Sequence, residues 1–153
     1  MDFKKFTSQA SSPSSSYLAL SGYRGQFRAY ELSPIKIEDA AEIMKWRNEQ
    51  IACLHQNEPI TSSQQTTFFN EKVKPQFSQS KPDLILLRLT LENKLIGYAS
   101  LYDFNWKDAH TKAFFLFETD RLKDPFQYGT DCSVIINLLM RVVFMKLNLN
   151  KMS

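Results

Sequence analysis

The sequence predicts an α+β (mixed α/β) domain in which helices flank a central, mostly antiparallel sheet. The first observation is the order of the patterned segments, which reads β, α, α, β, β, β, α. The second is a pair of strand-like runs, 83–91 and 95–102, separated by residues 92–94 as in an antiparallel hairpin. The third is a helical segment over 130–147 that is too apolar to remain uncovered, so we expect it to pack on the sheet.

The chain is expected to form one folded domain preceded by a tail. Its 153 residues include 43% apolar residues, enough for a substantial core. Residues 7–16 are rich in Ser and cannot bury apolar surface. We therefore predict a flexible tail over residues 1–26 and a folded domain over residues 27–153.

The first half of this domain contains one predicted strand and two predicted helices. The strand covers 27–34. The first helix covers 37–50, and its acidic first turn and basic last turn suit the helix dipole. The second begins after Thr61, where the sequence T-S-S-Q forms a capping box, and it ends before Pro75.

The second half ends in a strand, a loop and a long helix. The strand covers 112–118 and the loop covers 119–127. Thr130 or Asp131 is predicted to cap the helix, which runs to about Leu147. The last residues have the pattern of a turn that enters another strand.

The net positive charge is confined to the beginning of the chain. Residues 1–29 carry four basic residues against Asp2, whereas residues 30–153 carry fifteen basic and fifteen acidic residues. A folded part without net charge lacks the basic surface of a nucleic-acid-binding protein, so we expect no nucleic-acid partner. A role in RNA binding would rest on the basic tail alone.

The cysteines and histidines form no metal-binding pattern. Cys53 and Cys132 are far apart and lie outside any CxxC or Cys/His cluster, and the histidines are His55 and His110. We therefore expect no metal and two reduced, mostly buried thiols.

The sequence also lacks an obvious membrane or export signal. No apolar run has the length of a membrane span, and no apolar segment of signal-peptide length follows residues 1–6. The prediction is a cytoplasmic protein without a membrane partner.

Two segments carry residue types that suit ligand binding. The strand 112–118, the turn at Gly129 and the following helix place backbone N–H groups where an anion can bind. Trp46, Arg47 and Asn48 combine a stacking face with a planar guanidinium fork, which suits a polar ligand. The alternative for this triplet is a packed Trp and an Arg that complements the helix dipole.

Several short motifs, taken in order, resemble the GNAT acetyltransferase superfamily. Within it they are most similar to the branch of ribosomal-protein and amino-sugar acetyltransferases (the RimJ/RimL-like branch). The resemblance covers roughly residues 30–152. The motifs are Ile43-Met-Lys-Trp46-Arg47-Asn48, Ile60-Thr61 with Phe68-Phe69, Leu95-Ile96-Gly97-Tyr98, the aromatic strand 113–117, Tyr128-Gly129-Thr130, and residues 144–151.

The resemblance implies acetyl-CoA as co-substrate. It places the pantetheine arm along the aromatic strand and the pyrophosphate on the turn that follows, which fits strand addition and anion binding at a helix N-terminus. The residues implied in cofactor binding are Phe115, Leu116, Phe117, Gln127, Tyr128, Gly129, Thr130 and Asp131.

The chain departs from the family pattern first in the residues of its turn and second in the elements expected after it. Asp124 stands where the turn usually carries Gln or Arg, and its negative charge opposes a diphosphate. Gln127 replaces the first glycine of the turn. The family's later strands and last helix are also absent from this sequence. We therefore expect a partial GNAT domain with an exposed sheet edge, through which a homodimer is possible.

Acetyl transfer needs a neutral amine, a polarised thioester carbonyl and a proton for the leaving thiolate. A backbone N–H near Leu116 is the expected oxyanion donor. Glu118 is the predicted general base and Asp103 the second candidate, the alternative being a strand-end carboxylate without a catalytic role. The predicted acceptor pocket, which competes with simple aromatic packing, contains Trp46, Arg47, Asn48, Tyr102, Phe104 and Trp106.

The sequence thus favours an N-acetyltransferase that moves an acetyl group from acetyl-CoA to a primary amine. The acceptor is left open among a protein N-terminus, a small amine and an amino sugar. The alternative is a catalytically inactive GNAT-like fragment or an assembly subunit.

Overall fold

The computed structural model describes residues 17–153. Over this range the chain forms a sheet of six strands and three α-helices. The strands are β1 (Gly25–Phe27), β2 (Tyr30–Pro34), β3 (Leu84–Leu91), β4 (Lys94–Asn105), β5 (His110–Phe117) and β6 (Lys151–Met152). The α-helices are α1 (Ala40–Glu49), α2 (Ser62–Phe68) and α3 (Pro125–Met140), and α2 and α3 continue as π-helical turns over Phe69–Val73 and Arg141–Lys146. Short 3-10 turns cover Leu18–Leu20, Ile37–Asp39, Ile51–Cys53, Lys74–Ser78 and Thr119–Lys123.

The sheet confirms the predicted α+β class. Its strands lie in chain order from β1 to β6. Each neighbouring pair is antiparallel except β5 and β6, which are parallel. Ser100 on β4 lies between Leu86 on β3 and Phe114 on β5, so these three side chains share one face.

The two faces of the sheet are covered by different helices. α1 and α2 lie over the face of Ser100, where their side chains and those of the sheet enclose a cavity. α3 covers the other face, where Tyr128 meets the ring of Phe117 edge-on at 5.8 Å. Val134, Ile135, Leu138 and Leu139 of α3 are all buried, as the apolar pattern of the sequence predicts.

The α3 segment is longer than the sequence prediction allowed. With its π-helical end it forms one helix of 22 residues, which by length and composition alone is apolar enough to cross a membrane. The helix supplies several of the buried residues of the core. A core helix passes the same test of length and composition, so this finding is weak evidence for a membrane span.

The predicted tail packs on the domain from Tyr17 onward. The Tyr17 ring is completely buried and meets Phe77 edge-on at 4.7 Å. Its hydroxyl oxygen accepts a hydrogen bond of 2.9 Å from the Leu86 N–H. Leu20 is also fully buried. These contacts tie residues 17–26 to the sheet, and residues 1–16 lie outside the described range.

The first predicted strand is a hairpin. Phe27 pairs with Tyr30 across a turn of Arg28 and Ala29. Arg28 has a φ of 53°, a left-handed conformation that usually signals Gly or Asn. The turn therefore could not be predicted from the sequence, because Arg28 is not a residue typical of this conformation.

The remaining elements are close to prediction. The capping box of α2 is present, with 3.1 Å from the Gln64 N–H to the Thr61 hydroxyl and 3.0 Å from the Thr61 N–H to the Gln64 side chain. Phe68 of the same helix is 39% exposed. Cys53 is also exposed rather than buried.

The start of the last helix differs most from the sequence prediction. Asp124, not Thr130 or Asp131, caps it, and its carboxylate accepts the N–H groups of Phe126 and Gln127 at 3.0 and 3.4 Å. Pro125 occupies the first helical position, which tolerates a missing N–H. Gly129 consequently lies inside the helix rather than in a turn before it.

Candidate active site

A cavity of about 610 Å³ lies between the sheet and the helices α1 and α2. It is lined mainly by aromatic and aliphatic side chains, with a few polar groups among them. The lining residues are Ile43, Arg47, Leu54, Ile60, Gln64, Gln65, Phe68, Phe69, Leu86, Tyr98, Ser100, Tyr102 and Phe114. Size and composition are those of a small-molecule site.

Arg47 is the charged residue of this lining. It projects from α1 and donates a hydrogen bond of 2.9 Å from Nη1 to the Tyr98 hydroxyl. Its guanidinium carbon lies 6.0 Å from the centre of the Phe114 ring. No carboxylate within residues 17–153 forms an ion pair with it.

The Tyr98 phenol is neutral at physiological pH. It is 4% exposed, and this burial raises its pKa, which the positive charge of Arg47 opposes. The hydroxyl therefore orients the guanidinium without neutralising it. The cavity keeps a net positive charge at this position.

The other polar groups follow from strand alternation. Tyr98, Ser100 and Tyr102 are alternate residues of β4 and therefore point to the same face. Gln65 is buried, and its amide donates to the Ala40 carbonyl at 2.9 Å, so it joins α2 to α1. Among the described residues, no Asp or Glu lines the cavity.

Of the six residues predicted to form the acceptor pocket, two line the cavity and four do not. Arg47 and Tyr102 line the cavity. Trp46 is 2% exposed and belongs to the core. Phe104 and Trp106 stack on each other at 4.8 Å beyond the cavity lining, and the Trp106 indole donates to the Pro82 carbonyl at 3.2 Å.

Asn48 supports the cavity from behind. Its amide donates to the Ile60 carbonyl at 2.9 Å and accepts the Ile60 N–H at 2.7 Å. Gln56 adds a third hydrogen bond to the same side chain at 3.2 Å. Ile60 is a lining residue, so Asn48 fixes the loop that closes one side of the cavity.

Neither predicted catalytic carboxylate lines the cavity. Glu118 lies 3.6 Å from the ammonium of Lys94. Asp103 is exposed and forms an ion pair of 3.1 Å with Lys112, whose pKa is raised by this hydrogen bond. Direct proton transfer from an amine in the cavity to either carboxylate is therefore not indicated by the structure.

Within residues 17–153, no strand pairs with the outer edge of β5 beyond its first residues. The Ala113 N–H donates to Ser153 on the β6 side, whereas the Glu118 N–H donates to Ile96 at the β4 edge. Because N–H directions alternate along a strand, Phe115 and Phe117 point theirs to the outer edge. The Leu116 N–H points to β4, so Leu116, predicted to lie near the oxyanion donor, is itself a ladder residue.

Comparison with known proteins identifies this arrangement. A family model described as an acetyltransferase (GNAT) domain matches residues 32–153. The chain belongs to the GNAT acetyltransferase family. The six-stranded sheet flanked by helices matches the fold of structural neighbours in this family.

Solved structures with this fold include spermidine N-acetyltransferase from Vibrio cholerae. Its complex with CoA and spermine is 18% identical, with a TM-score of 0.66 over 82% of this chain and 70% of that one. A dodecameric structure of the same enzyme in an intermediate state is 16% identical, with a TM-score of 0.62 over 82% and 68% of the two chains. No curated protein matches the sequence.

The N-terminus of α3, where the family resemblance implies a diphosphate, is capped here by a side chain of the chain itself. The Asp124 carboxylate accepts the amides of Phe126 and Gln127, which are the groups an anion would need. Gln127, Tyr128 and Gly129 are exposed, and the Thr130 hydroxyl donates to the Phe126 carbonyl at 3.0 Å. The residues present therefore do not fit a diphosphate at this position, whereas the edge of β5 fits an amide-bearing arm.

Asp131, the last of the predicted cofactor residues, is enclosed. It is fully buried and takes two hydrogen bonds from Arg121, at 2.6 and 3.0 Å. The Tyr30 hydroxyl donates a third at 2.8 Å. Burial first and this hydrogen bond second raise the pKa of Tyr30 to about 12. The carboxylate is fully buried among these partners and is not accessible to a ligand.

The strongest signal that sequence reasoning missed is the alternation on β4. Tyr98, Ser100 and Tyr102 carry hydroxyl groups on one face, while Gly97, Ala99 and Leu101 on the other face do not. This pattern predicts a polar stripe on a buried strand. The contributions of Leu54, Ile60 and Phe69 depend on tertiary packing and had no such signal.

Proposed function

We propose that the chain transfers an acetyl group from acetyl-CoA to a primary amine bound in the cavity beside Arg47. The observation that carries the proposal is a ligand-sized cavity against β5, in a GNAT domain whose β5 edge keeps outward N–H groups. The acceptor classes expected from the sequence, including the RimJ/RimL-like specificity, remain proposals. So does a polyamine such as the spermine bound by the structural neighbour from Vibrio cholerae.

Each residue group has a proposed task. Phe115 and Phe117 offer backbone N–H groups to the amide-bearing arm and to a developing oxyanion. Acetyl-CoA, when bound, would supply the acetyl thioester, whose C–S bond would break as the amine nitrogen forms the new C–N bond, the leaving thiolate being reprotonated through water. The apolar lining excludes water, which favours the neutral form of the amine.

The proton of the amine needs a path out of the cavity. Glu118 and Asp103 stay the proposed bases, and since neither lines the cavity, the proton would reach them through water. The hydroxyl groups of Ser100 and Tyr102 line the cavity and are placed to begin such a path.

A thermal-shift titration with acetyl-CoA tests the proposal. A ligand at about 100 times its dissociation constant adds about 2.7 kcal/mol to stability. A raised melting temperature, together with CoA release that depends on an added amine, would support the transferase. Absence of both at millimolar acetyl-CoA would contradict it.

The self-capped helix favours a second candidate function. Because Asp124 occupies the amides that an anion would need, the chain is also proposed as an inactive GNAT-like protein or assembly subunit. Light scattering separates these roles, since an assembly subunit would form a homodimer or bind a partner through its sheet edge. Cytoplasmic location and the lack of a nucleic-acid partner stay predictions.

A further inference from the structure

We propose that the acceptor is a primary amine that also carries a carboxylate, and that Arg47 binds this carboxylate. The inference rests on the proposed acetyl transfer, because only a transferase requires an acceptor. It narrows the substrate to amino acids and related amino carboxylates with an apolar body.

The charge of the cavity is the first argument. Arg47 is a permanent cation without an ion-pair partner in the described part of the chain. Its hydrogen-bond partner Tyr98 is a neutral phenol. A partly desolvated cation is best satisfied by an anion, and an amine acceptor can bring one only as a second group.

The geometry of the guanidinium is the second argument. Tyr98 takes one N–H at Nη1, while no hydrogen bond to a described residue uses Nε or Nη2. Tyr98 and the Phe114 ring fix the position of the planar group. A fixed fork with two parallel N–H donors is the arrangement that binds a carboxylate through both oxygens.

The apolar lining defines the body of the acceptor. Ile43 and Phe69 are buried, and Leu54 and Ile60 are half-buried, around the same cavity. These side chains favour an aliphatic or aromatic group over a sugar. A polyamine is disfavoured because its several positive charges would meet Arg47 and find no lining carboxylate among the residues described.

The test compares amines that differ only in the charge of one group. L-Phenylalanine is paired with L-phenylalaninamide, and 4-(aminomethyl)benzoate with 4-(aminomethyl)benzamide, so both short and long spacings are sampled. Spermidine is the polycationic comparison. Binding is measured by calorimetry with and without CoA, and acetyl transfer is measured by thiol release.

We expect one of the carboxylates to bind or react about 10- to 100-fold better than its carboxamide, the range for a charge-assisted hydrogen-bond pair. Arg47→Gln should abolish this preference. Lys45→Gln removes an exposed positive charge from the same helix and should leave the preference for the carboxylate unchanged. Arg47→Lys keeps the charge and should retain part of the preference for the carboxylate. This variant keeps the test possible if Arg47→Gln does not fold.

The outcomes separate this inference from the proposed function. If the carboxamides or spermidine are acetylated as well as the carboxylates, the transferase stands and the inference fails. If no amine is acetylated but a carboxylate binds in an Arg47-dependent manner, the transferase fails and the carboxylate site stands. If the carboxylates neither bind nor react, the inference is overturned.

Discussion

Two arginines on opposite faces of the sheet are used in opposite ways. Arg47 projects into the cavity, where a neutral phenol is its hydrogen-bond partner. Arg121, just after β5, is bound through two hydrogen bonds to the fully buried Asp131. The positive charge of Arg47 is therefore available to a ligand, whereas that of Arg121 is neutralised by Asp131 within the fold.

The difference reverses what the family resemblance implies about charge. The resemblance places the anion beside the helix that follows β5, but in this chain Asp124 and Asp131 occupy the donors on that side. The available cation, Arg47, lies instead in the cavity proposed to bind the acceptor. The charge distribution therefore indicates which kind of acceptor would bind more clearly than it indicates how the cofactor would bind.

The strongest test of this comparison is removal of the buried carboxylate. Asp131→Ala leaves Arg121, whose side chain is 11% exposed, without a partner. Loss of one member of a buried ion pair costs about 3–5 kcal/mol, measured here by urea unfolding. The control is Asp120→Ala, which breaks an exposed pair with Lys123 and should leave the free energy of unfolding nearly unchanged. Equal losses of unfolding free energy in the two variants would show that the ion pair of Arg121 and Asp131 does not stabilise the fold.

The helix cap offers a second test. Asp124→Ala should lose about 0.5–2 kcal/mol of stability, because two amides lose their acceptor. Asp124→Asn keeps a capping oxygen and removes the negative charge, so it should retain most of the stability. It should also bind acetyl-CoA about fivefold more tightly, the value of about 1 kcal/mol of charge at a helix N-terminus. Unchanged affinity in a binding titration would mean that the carboxylate does not compete with the cofactor.

The enclosed side should also contribute to the alkaline pH dependence of stability, beside the contribution of the buried Tyr98 on the cavity side. The pKa of Tyr30 is about 12 in the folded protein and 10.0 in its ordinary state. Its stabilising contribution is therefore complete below pH 10 and is lost as the pH rises toward 12, because the unfolded chain releases the proton first. Tyr30→Phe should flatten the fall in unfolding free energy over this range. An identical slope in wild type and variant would contradict the Tyr30–Asp131 hydrogen bond.

The smallest effect is expected at Tyr98, whose hydroxyl accepts the hydrogen bond of Arg47. Tyr98→Phe removes the hydroxyl that orients the guanidinium and should cost about 1 kcal/mol in unfolding free energy. Carboxylate affinity should fall only a few-fold, since the charge remains. A loss as large as that of Arg47→Gln would mean that Tyr98 itself binds the ligand.

The regular elements were accessible from sequence because their signals are local. Hydrophobic patterns located α1 and β3 to β5 within a few residues, and the capping box and Pro75 located α2. The start of α3 also carried a local signal, an Asp followed by Pro, but the Tyr128–Thr130 motif drew the predicted start to later residues. The Arg28–Ala29 turn carried none.

The site was less accessible because it depends on distant contacts. Tyr30 and Asp131 are hydrogen-bonded across a separation of 101 residues, so no local pattern marks Asp131 as enclosed. Trp46, Phe104 and Trp106 have the composition of a binding site, yet their rings are used in packing. Arg47 was identified because its planar guanidinium suits a polar ligand, and Tyr102 was named with it as part of the predicted acceptor pocket.

The hydrogen bonds of Asn48 have a kinetic consequence. One side chain holds both the N–H and the C=O of Ile60, at the end of the loop that begins after α1. Breaking these bonds releases that wall of the cavity while the sheet remains intact. Amide exchange at Ile60 should therefore proceed through local opening, at a free energy well below that of global unfolding. The same opening would set how fast acceptor and product exchange with solvent.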